Sequence, residues 1–454
     1  MKKAKKLLSV ILCALVLMQA GIFCVANASS DYKIVSPYED VIWSGEGAWG
    51  AYKGSLHSHT TYSDADDTLP VMVKEAYAQD YDFLAIADHG ITGVDWDKAP
   101  AIQPLYLYQY IIDNPYEHLT TEEYEAIKNG TYNDRGKIMV PVLGANEFNN
   151  LSLTKNHVNG YFLDPDVGNG FAGMENEYGY EQAIKYIEEN NGLSHINHPG
   201  DWLGSNQNAD VVNDPENVKF FGDLILKYKS CLGTEIFNEH NGTTGYDRIL
   251  WDNLLMYCLP YGKNVIGFSN TDAHTTSKVD SSYSIFMMKE NNIENIKATM
   301  QSGSFFCITR ELRANNTIGP KTEINVMNTD LPIPMFSSLT VDGHKISASA
   351  KEATRIQWIA DGKIIKEYDV ADEKNASFDD VLDLDEIEGA ENFTYVRVEL
   401  FGEGGICASQ AFVIDNGTAP LEFAAEEVSP LDSLMLFLKG TKIYTIIMEI
   451  VKLF

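Results

Sequence analysis

The chain has 454 residues, more than one average domain needs, so its length predicts two domains. It carries 65 Asp and Glu against 34 Lys and Arg, for a formal net charge of −31. A surface of this sign repels phosphate backbones, which proteins bind through Lys and Arg. The composition therefore argues against a nucleic-acid partner.

The first 28 residues are predicted to be a secretion signal. Lysines at positions 2, 3, 5 and 6 precede an apolar stretch over residues 7–23, and Ala26 and Ala28 provide the small residues of a cleavage site. A transmembrane anchor is the alternative, but the apolar stretch is short for one. We expect an exported protein, extracellular or at the cell surface. Its net charge would fall from −31 to −35 when the four lysines are removed.

Residues 52–306 alternate strand-like and helical patterns, which is typical of β/α units that build a parallel sheet or barrel. Helices are expected over residues 68–79, where Thr68 precedes a proline in the first turn, and over residues 180–190 and 291–301. The strands are expected at residues 53–56, 83–87, 138–143, 158–162, 192–196, 232–237 and 265–268.

A long insertion interrupts this alternation between residues 91 and 135. It contains six tyrosines, at positions 106, 108, 110, 116, 124 and 132. Long connections above a sheet often form lids or substrate walls. A surface excursion packed on its own tyrosines is the other interpretation, and the residues leave both open.

The pattern changes after a break rich in Asn, Gly and Pro over residues 314–334. Ile356 and Trp358 alternate with polar neighbours, Asp361 and Gly362 predict a hairpin turn, and a further alternating run surrounds Val398. Short alternating strands predict a small all-β, Ig-like sandwich over residues 335–420. Its expected role is that of a structural or surface-binding accessory.

Residues 421–454 are predicted to form an amphipathic C-terminal segment. The apolar run over residues 429–454 is interrupted by Lys439, Lys442, Glu449 and Lys452, which argues against a membrane span. We expect this segment to pack on the protein. The alternative is a peripheral contact with a membrane interface or the cell surface.

Four cysteines remain after the predicted leader: Cys231, Cys258, Cys307 and Cys407. They are widely spaced and include no C-x-x-C pair, so a cysteine zinc site is not expected. One or two disulfides are compatible with an oxidising compartment, and the spacing does not pair them.

Imidazoles and carboxylates gather at the ends of the predicted strands. His57 and His59 stand two residues apart, as do Asp272 and His274, and residues i and i+2 of a strand point to the same side. Six of the seven strands have candidate ligands at their C-terminal ends, the edge on which β/α barrels build active sites. The fourth strand is the exception, because His157 precedes it. The set predicts a polynuclear metal site for hydrolysis.

Five motifs in this order resemble those of the polymerase and histidinol phosphatase (PHP) superfamily. They are LHSHTTYSD (56–64), LAIADH (84–89), ANEF (145–148), NHPG (197–200) and NTDAH (270–274). A further run, GTEIFN (233–238), is similar to the carbaryl-hydrolase-like branch. The resemblance covers slightly more than half of the chain. It implies an α/β fold with a distorted (β/α)7 barrel that binds two to three divalent metal ions.

The resemblance also implies which residues hold the metals. The first position would use His57, His59, Glu147 and Asp272; the second Glu147, His157 and His198; the third Asp64, His89 and His274. Nitrogen and oxygen donors of this kind suit zinc, manganese or iron. His195 competes with His198, because both lie near one strand end; we favour His198 and expect His195 to be a second-shell or substrate contact.

Catalytic roles are expected for Glu147, His198 and Asp272. His240 is a further candidate, as an acid or a substrate-orienting residue, and a hydrogen-bonded loop histidine is the alternative. The residues expected to contact substrate are His195, Arg248 and Lys155, with Lys278 as a third basic candidate. In the expected reaction a hydroxide that bridges two metals attacks phosphorus in line.

The sequence thus predicts an exported metal-dependent phosphoesterase that cleaves a small phosphorylated compound. A carbamate, ester or amide hydrolase with the same metals is the first alternative, and a surface binding module with a relic site is the second. The expected plan is a signal peptide (1–28), a PHP-like hydrolase domain (29–314), a linker (315–334), a β-sandwich (335–420) and the C-terminal segment (421–454).

Overall fold

The computed structural model describes residues 32–93, 95–100, 112–149, 156–164, 178–204, 209–238, 245–310, 330–369 and 377–425. The predicted signal peptide and the apolar run over residues 429–454 lie outside these ranges. So do two of the candidate site residues, Lys155 and His240.

Seven α-helices and nineteen strands occur in the part of the chain that is described. The helices are α1 Leu69–Ala78, α2 Thr121–Lys128, α3 Tyr178–Glu189, α4 Pro199–Leu203, α5 Pro215–Lys227, α6 Asp247–Cys258 and α7 Ile293–Ser302. The strands before the break are β1 Lys33–Val35, β2 Gly50–Ser55, β3 Phe83–Leu84, β4 Val140–Pro141, β5 Asn146–Phe148, β6 Val158–Tyr161, β7 Leu193–Ile196, β8 Cys231–Phe237, β9 Ile266–Ser269, β10 Ser282–Met288 and β11 Phe305–Thr309. The later strands are β12 Met335–Asp342, β13 Lys345–Lys351, β14 Arg355–Ala360, β15 Lys363–Asp369, β16 Phe378–Asp383, β17 Tyr395–Gly402, β18 Gly405–Ala408 and β19 Phe412–Asp415.

The three predicted helices are present as α1, α3 and α7, and their ends follow local chemistry. Helix α1 starts after Thr68 with a proline in its first turn. Helix α7 is capped by the side chain of Asn292 and ends at Gly303, whose φ of 76° suits a residue without Cβ. The insertion contributes α2, which begins with a capping box between Thr120 and Glu123.

The seven predicted strands are also present, and they are divided between two sheets. Strands β2, β3 and β4 are parallel neighbours in an eleven-stranded sheet. Strands β5 to β9 form a second sheet, in which only β7, β8 and β9 run parallel to one another. Strand β6 is antiparallel to both neighbours, so its first residue lies at the edge where β5 and β7 end. This orientation places His157 beside the other candidate ligands.

The predicted (β/α)7 barrel is not observed, because the described strands form no closed sheet. The fold is mixed α/β with several sheets. Backbone hydrogen bonds beyond the strand ends nevertheless join the two sheets at the candidate ligands. Glu147 donates its N–H to the Ala87 carbonyl at 2.9 Å, and Asp272 donates to the His57 carbonyl at 2.9 Å.

The eleven-stranded sheet continues into the C-terminal, β-rich part of the chain. Strand β11 pairs with β18, with Cys307 opposite Ala408, and β1 pairs with β19. One sheet therefore includes strands from both sides of the predicted linker. Pairing of β11 with β18 removes an edge strand that would otherwise expose unpaired backbone groups.

A three-stranded sheet of β12, β13 and β16 covers part of this β-rich region. Leu339 and Ile346 share a buried apolar cluster with Trp358 and Val398 from the large sheet. The predicted hairpin at Asp361 and Gly362 joins β14 to β15.

A buried ion network connects helix α6 to strand β17. Arg397 is fully buried and contacts Asp252 at 2.7 Å and Glu399 at 2.6 Å, and Arg248 contacts Glu399 at 2.6 Å. Charges removed from water in this way depend on one another for compensation.

The four cysteines are buried free thiols, and no disulfide joins them. Burial raises the pKa of the Cys231 thiol to about 12, which keeps this thiol protonated. Among the described residues we find no helix that is both long and apolar enough to cross a membrane.

We predict that Arg397→Met lowers the free energy of unfolding by about 3–5 kcal/mol, because Asp252 would remain buried without a counter-charge. Urea unfolding followed by circular dichroism measures the change. Lys185→Met is the matched control, since Lys185 and Glu189 are exposed and 3.9 Å apart; here we expect less than about 1 kcal/mol. Equal losses in the two variants would contradict the importance of the buried network.

Candidate metal centre

Four side chains from three strand ends converge on one point. His57 and His59 follow β2, Glu147 lies in β5, and Asp272 follows β9. One ligand atom from each of them lies within 4.8 Å of the others. Nε2 of His57 is 3.2 Å from Glu147 Oε2 and 3.2 Å from Asp272 Oδ1, and Nε2 of His59 is 3.0 Å from Glu147 Oε2.

Two further groups overlap the first. His59, Asp64 and His89 form one, and His89, Glu147 and His157 form the other. His198 and His274 border the cluster: His198 Nε2 is 3.3 Å from Glu147 Oε1, and His274 Nε2 is 3.5 Å from Asp64 Oδ2. All nine expected ligands therefore come together. The first expected group has the same four members. His89 lies with Asp64, as expected, but it also belongs to the group that contains Glu147 and His157.

Backbone strain accompanies two of these residues. His198 has φ 23° and Asp272 has φ 47°, the left-handed region that non-glycine residues seldom adopt. Such conformations cost about 1–3 kcal/mol each and persist where surrounding contacts hold them. Here the His198 N–H donates to Glu235 Oε2 at 3.0 Å, and the Asp272 N–H donates to the His57 carbonyl.

The cluster attracts positive charge. Burial alone would lower the pKa of His57, but the carboxylates of Asp272 and Glu147 outweigh it and raise that pKa well above its ordinary value. Burial alone would raise the pKa of Glu147, but His157 and His57 hold it well below its ordinary value. The carboxylates are thus ionised, and either protons or cations must balance them.

His89 differs from its neighbours, because burial lowers its pKa to about 4. It is therefore a neutral imidazole near neutral pH, the form in which histidine binds a metal. Its Nδ1 lies 3.2 Å from the Glu147 carbonyl, which leaves Nε2 directed at Asp64 and Glu147.

Divalent cations fit this donor set. Both ring nitrogens of His157 and the Oδ1 atom of Asp272 are buried without a hydrogen-bond partner. Nδ1 of His157 is only 2.9 Å from Glu147 Oε1, but its orientation forms no hydrogen bond. Nε2 of His57 also faces Nε2 of His59 at 3.1 Å. These nitrogen and oxygen atoms converge on one region without forming hydrogen bonds to one another. Zinc and similar divalent cations bind to donor atoms arranged in this way.

Several residues orient the ligands, although none of them is among the candidate site residues predicted from the sequence. Asn197 donates Nδ2 to Glu147 Oε1 at 2.7 Å. Asp88 accepts from the Thr60 N–H and from the Ser63 hydroxyl, which lies 3.3 Å from His59 Nδ1. Glu235 contacts His57 Nδ1 at 2.9 Å. An acidic residue within the apolar strand β8 was the sequence signal that could have indicated Glu235.

His195 is fully buried, and its surroundings distinguish it from His198. Its Nε2 lies 2.8 Å from the Tyr161 hydroxyl and its ring stacks on Phe268 at 4.4 Å. Burial lowers its pKa to about 4. Of its two expected roles, contact with substrate does not match this enclosed position. Its hydrogen-bonding contacts are with the Tyr161 hydroxyl and the amide of Asn270, and neither of these residues is an expected metal ligand.

The expected substrate contact of Arg248 is not what the structure shows. Its guanidinium is buried and pairs with Glu399 of the β-rich region. A buried guanidinium needs a carboxylate to compensate its charge, and Glu399 provides that carboxylate for Arg248.

The insertion contacts the loop that carries the ligands. The Thr61 hydroxyl donates to the Pro115 carbonyl at 2.6 Å, and the rings of Tyr62 and Tyr116 lie 5.7 Å apart. The described part of the insertion therefore packs beside His59 and Asp64. A role as lid or substrate wall stays a prediction.

No family model matches this sequence, and no curated protein does either. Among solved structures, the chain is similar to a two-domain protein from Bacteroides vulgatus that contains a predicted PHP-like metal-dependent phosphoesterase. The two sequences are 13% identical, the match covers 84% of this chain and 99% of that chain, and the TM-score is 0.41. It is also similar to the lesion-specific endonuclease PfuEndoQ from Pyrococcus furiosus, with 12% identity, coverage of 56% of each chain and a TM-score of 0.31. A third similar structure is PsfC from Pseudomonas syringae, with 12% identity, coverage of 53% of this chain and 83% of that chain, and a TM-score of 0.27. Likenesses at this level do not assign the chain to a family, and these three do not support the carbaryl-hydrolase-like branch.

We predict that His198→Leu weakens zinc binding by more than about tenfold, because loss of a ligand should cost at least as much as loss of an outer-shell partner. His195→Leu should leave zinc affinity unchanged, because His195 is not an expected ligand. It should lower the free energy of unfolding by about 1–3 kcal/mol, because the Tyr161 hydroxyl loses one hydrogen-bond partner. Zinc competition with a chromogenic chelator and urea unfolding measure the two effects. Stronger metal loss in His195→Leu would reverse the assignment.

Proposed function

We propose that the chain is a metal-dependent hydrolase of the PHP superfamily, and specifically a phosphoesterase that acts on a small phosphorylated compound. The observation that carries the proposal is the convergence of the nine expected ligands in one largely buried cluster. Bound divalent cations would supply Lewis acidity and lower the pKa of water from 15.7 to about 7.

Glu147 would hold two cations through its two carboxylate oxygens. Its Oε2 faces His57, His59 and His89, whereas its Oε1 faces His157 and His198. The Asn197 amide, which donates to Oε1, fixes the carboxylate in this orientation. A carboxylate with each oxygen directed at a different imidazole group can bridge two metal positions.

The charge of the site supports a small anionic substrate. In the region that the structure covers, no lysine or arginine forms an ion pair with Asp64, Glu147 or Asp272. A phosphate would therefore depend on the metals for compensating charge. The net charge of −31 opposes a long polyanion such as nucleic acid, although PfuEndoQ is named as an endonuclease.

Export and the domain plan belong to the proposal as well. The basic and apolar residues of positions 1–28 support secretion. The division into a PHP-like domain and a β-rich domain rests on the change of sequence pattern after residue 314. The continuous sheet means that these two parts share a structural core.

The decisive experiment measures metal content and substrate preference on one sample. The protein is purified without added metal or chelator, analysed for zinc, manganese and iron, and assayed with p-nitrophenyl phosphate and p-nitrophenyl acetate. We expect two to three metals per chain and phosphatase activity. Activity on the carboxylic ester alone would favour the ester or carbamate alternative. Absence of metal, with no rescue by added zinc or manganese, would favour a binding module.

We predict that Glu147→Gln lowers phosphatase kcat/KM by more than about 100-fold and reduces the amount of bound metal, because an amide cannot bridge two cations. Loss of a residue that only supports a metal ligand lowers metal affinity or activity by about 10–100-fold, and loss of a ligand itself should have a larger effect. Atomic emission and steady-state kinetics measure the two effects. Glu125→Gln is the control, because Glu125 is exposed on α2 and pairs only with Lys128 among the ion pairs described. A fully active, metal-loaded Glu147→Gln variant would refute the assignment.

A further inference from the structure

We infer that Glu235 is a positioning residue that fixes the proton-bearing nitrogen of His57 and the backbone of His198 for metal binding. This inference rests on the proposed metal site and deepens it. Glu235 is fully buried in β8, and none of the expected ligand groups includes it.

The first argument concerns the two nitrogens of His57. Nε2 faces the other candidate ligands, whereas Nδ1 lies 2.9 Å from Glu235 Oε1. An ionised carboxylate only accepts hydrogen bonds, so Nδ1 must carry the proton that this contact shares. The Nε2 lone pair then remains available to a cation. Carboxylate partners of this kind orient a metal-binding histidine and increase its basicity.

The second argument concerns the strained backbone at His198. Its N–H donates to Glu235 Oε2 at 3.0 Å, at a residue with φ 23°. This bond offsets part of the conformational cost and holds the imidazole of His198 toward Glu147. One carboxylate thus ties together ligands that follow β2 and β7.

The third argument is the number of donors. Glu235 also accepts from Asn270 Nδ2 at 2.9 Å and from Asn238 Nδ2 at 2.7 Å. Four donors therefore surround two oxygens, and only a carboxylate offers acceptors on both sides. A glutamine would place an NH2 group against at least one N–H donor. Asn270 is itself fixed, because its Oδ1 accepts from the Leu56 N–H at 2.8 Å.

The test compares zinc binding by the full chain and by Glu235→Gln, with Zn²⁺ and a competing chelator. We expect affinity to fall at least tenfold in the variant, the range observed for lost outer-shell partners of metal-binding histidines. Glu399→Gln is the matched control, because Glu399 is a fully buried carboxylate in the Arg397 network. Its zinc affinity should equal that of the unmodified chain even where its stability falls.

A spectroscopic signature separates positioning from general destabilisation. In the zinc-loaded protein, a long-range ¹H–¹⁵N spectrum should show His57 protonated at Nδ1, with a slowly exchanging proton that is absent in Glu235→Gln. Glu235→Asp keeps the carboxylate, so it should retain that proton and bind zinc with intermediate affinity. It also provides the test if Glu235→Gln fails to fold.

The outcomes are distinguishable. Weaker zinc binding in Glu235→Gln, with unchanged binding in Glu399→Gln, supports the inference. Zinc affinity and a His57 Nδ1 proton that are both unaffected by Glu235→Gln would overturn the inference and leave the proposed function intact. Where Glu235→Asp is the variant tested, an unchanged zinc affinity would overturn it. Failure of the unmodified chain to bind zinc or manganese would overturn the proposed function itself.

Discussion

The carboxylate of Glu147 lies buried among imidazoles. Its Oε2 faces His59 and His89, which also contact Asp64, and its Oε1 faces His198, which also contacts Asp272. Several carboxylates held together away from water repel one another and lose hydration, so the arrangement is stable only when positive charge enters the cluster. Imidazoles that take up protons provide one solution. Divalent cations provide another, with neutral imidazoles as ligands, and the unsatisfied atoms of His157 and Asp272 favour this second solution.

The scaffold brings these groups together by using strand ends from two sheets. Parallel strands deliver His57, His59 and Asp272, and the reversed strand β6 brings His157 to the same edge. Backbone hydrogen bonds beyond the strands then fix the ligand segments to one another. The β-rich region extends the larger sheet and contacts helix α6 through the ion pair of Arg397 with Asp252, and helix α6 carries none of the expected ligands.

Local patterns in the sequence were enough to predict the strands and the gathering of imidazoles and carboxylates at their ends, whereas the division of these residues among metal positions came from the family resemblance. The i, i+2 spacing of His57 and His59 needs only strand geometry, and the helix caps at Thr68 and Gly303 depend on adjacent residues. Three features depend on contacts between residues far apart in the chain. These are the reversal of β6, the pairing of β11 with β18, and the burial of Arg248 against Glu399. Glu235 belongs with them, because a buried glutamate has a role only in relation to its partner His57.

The most direct test of the account is anomalous X-ray scattering from crystals grown with zinc, with data collected on both sides of the zinc absorption edge. The account predicts at least two zinc peaks within bonding distance of the cluster, and one on each side of the Glu147 carboxylate. Peaks confined to surface histidines such as His344, with none beside Glu147, would contradict it.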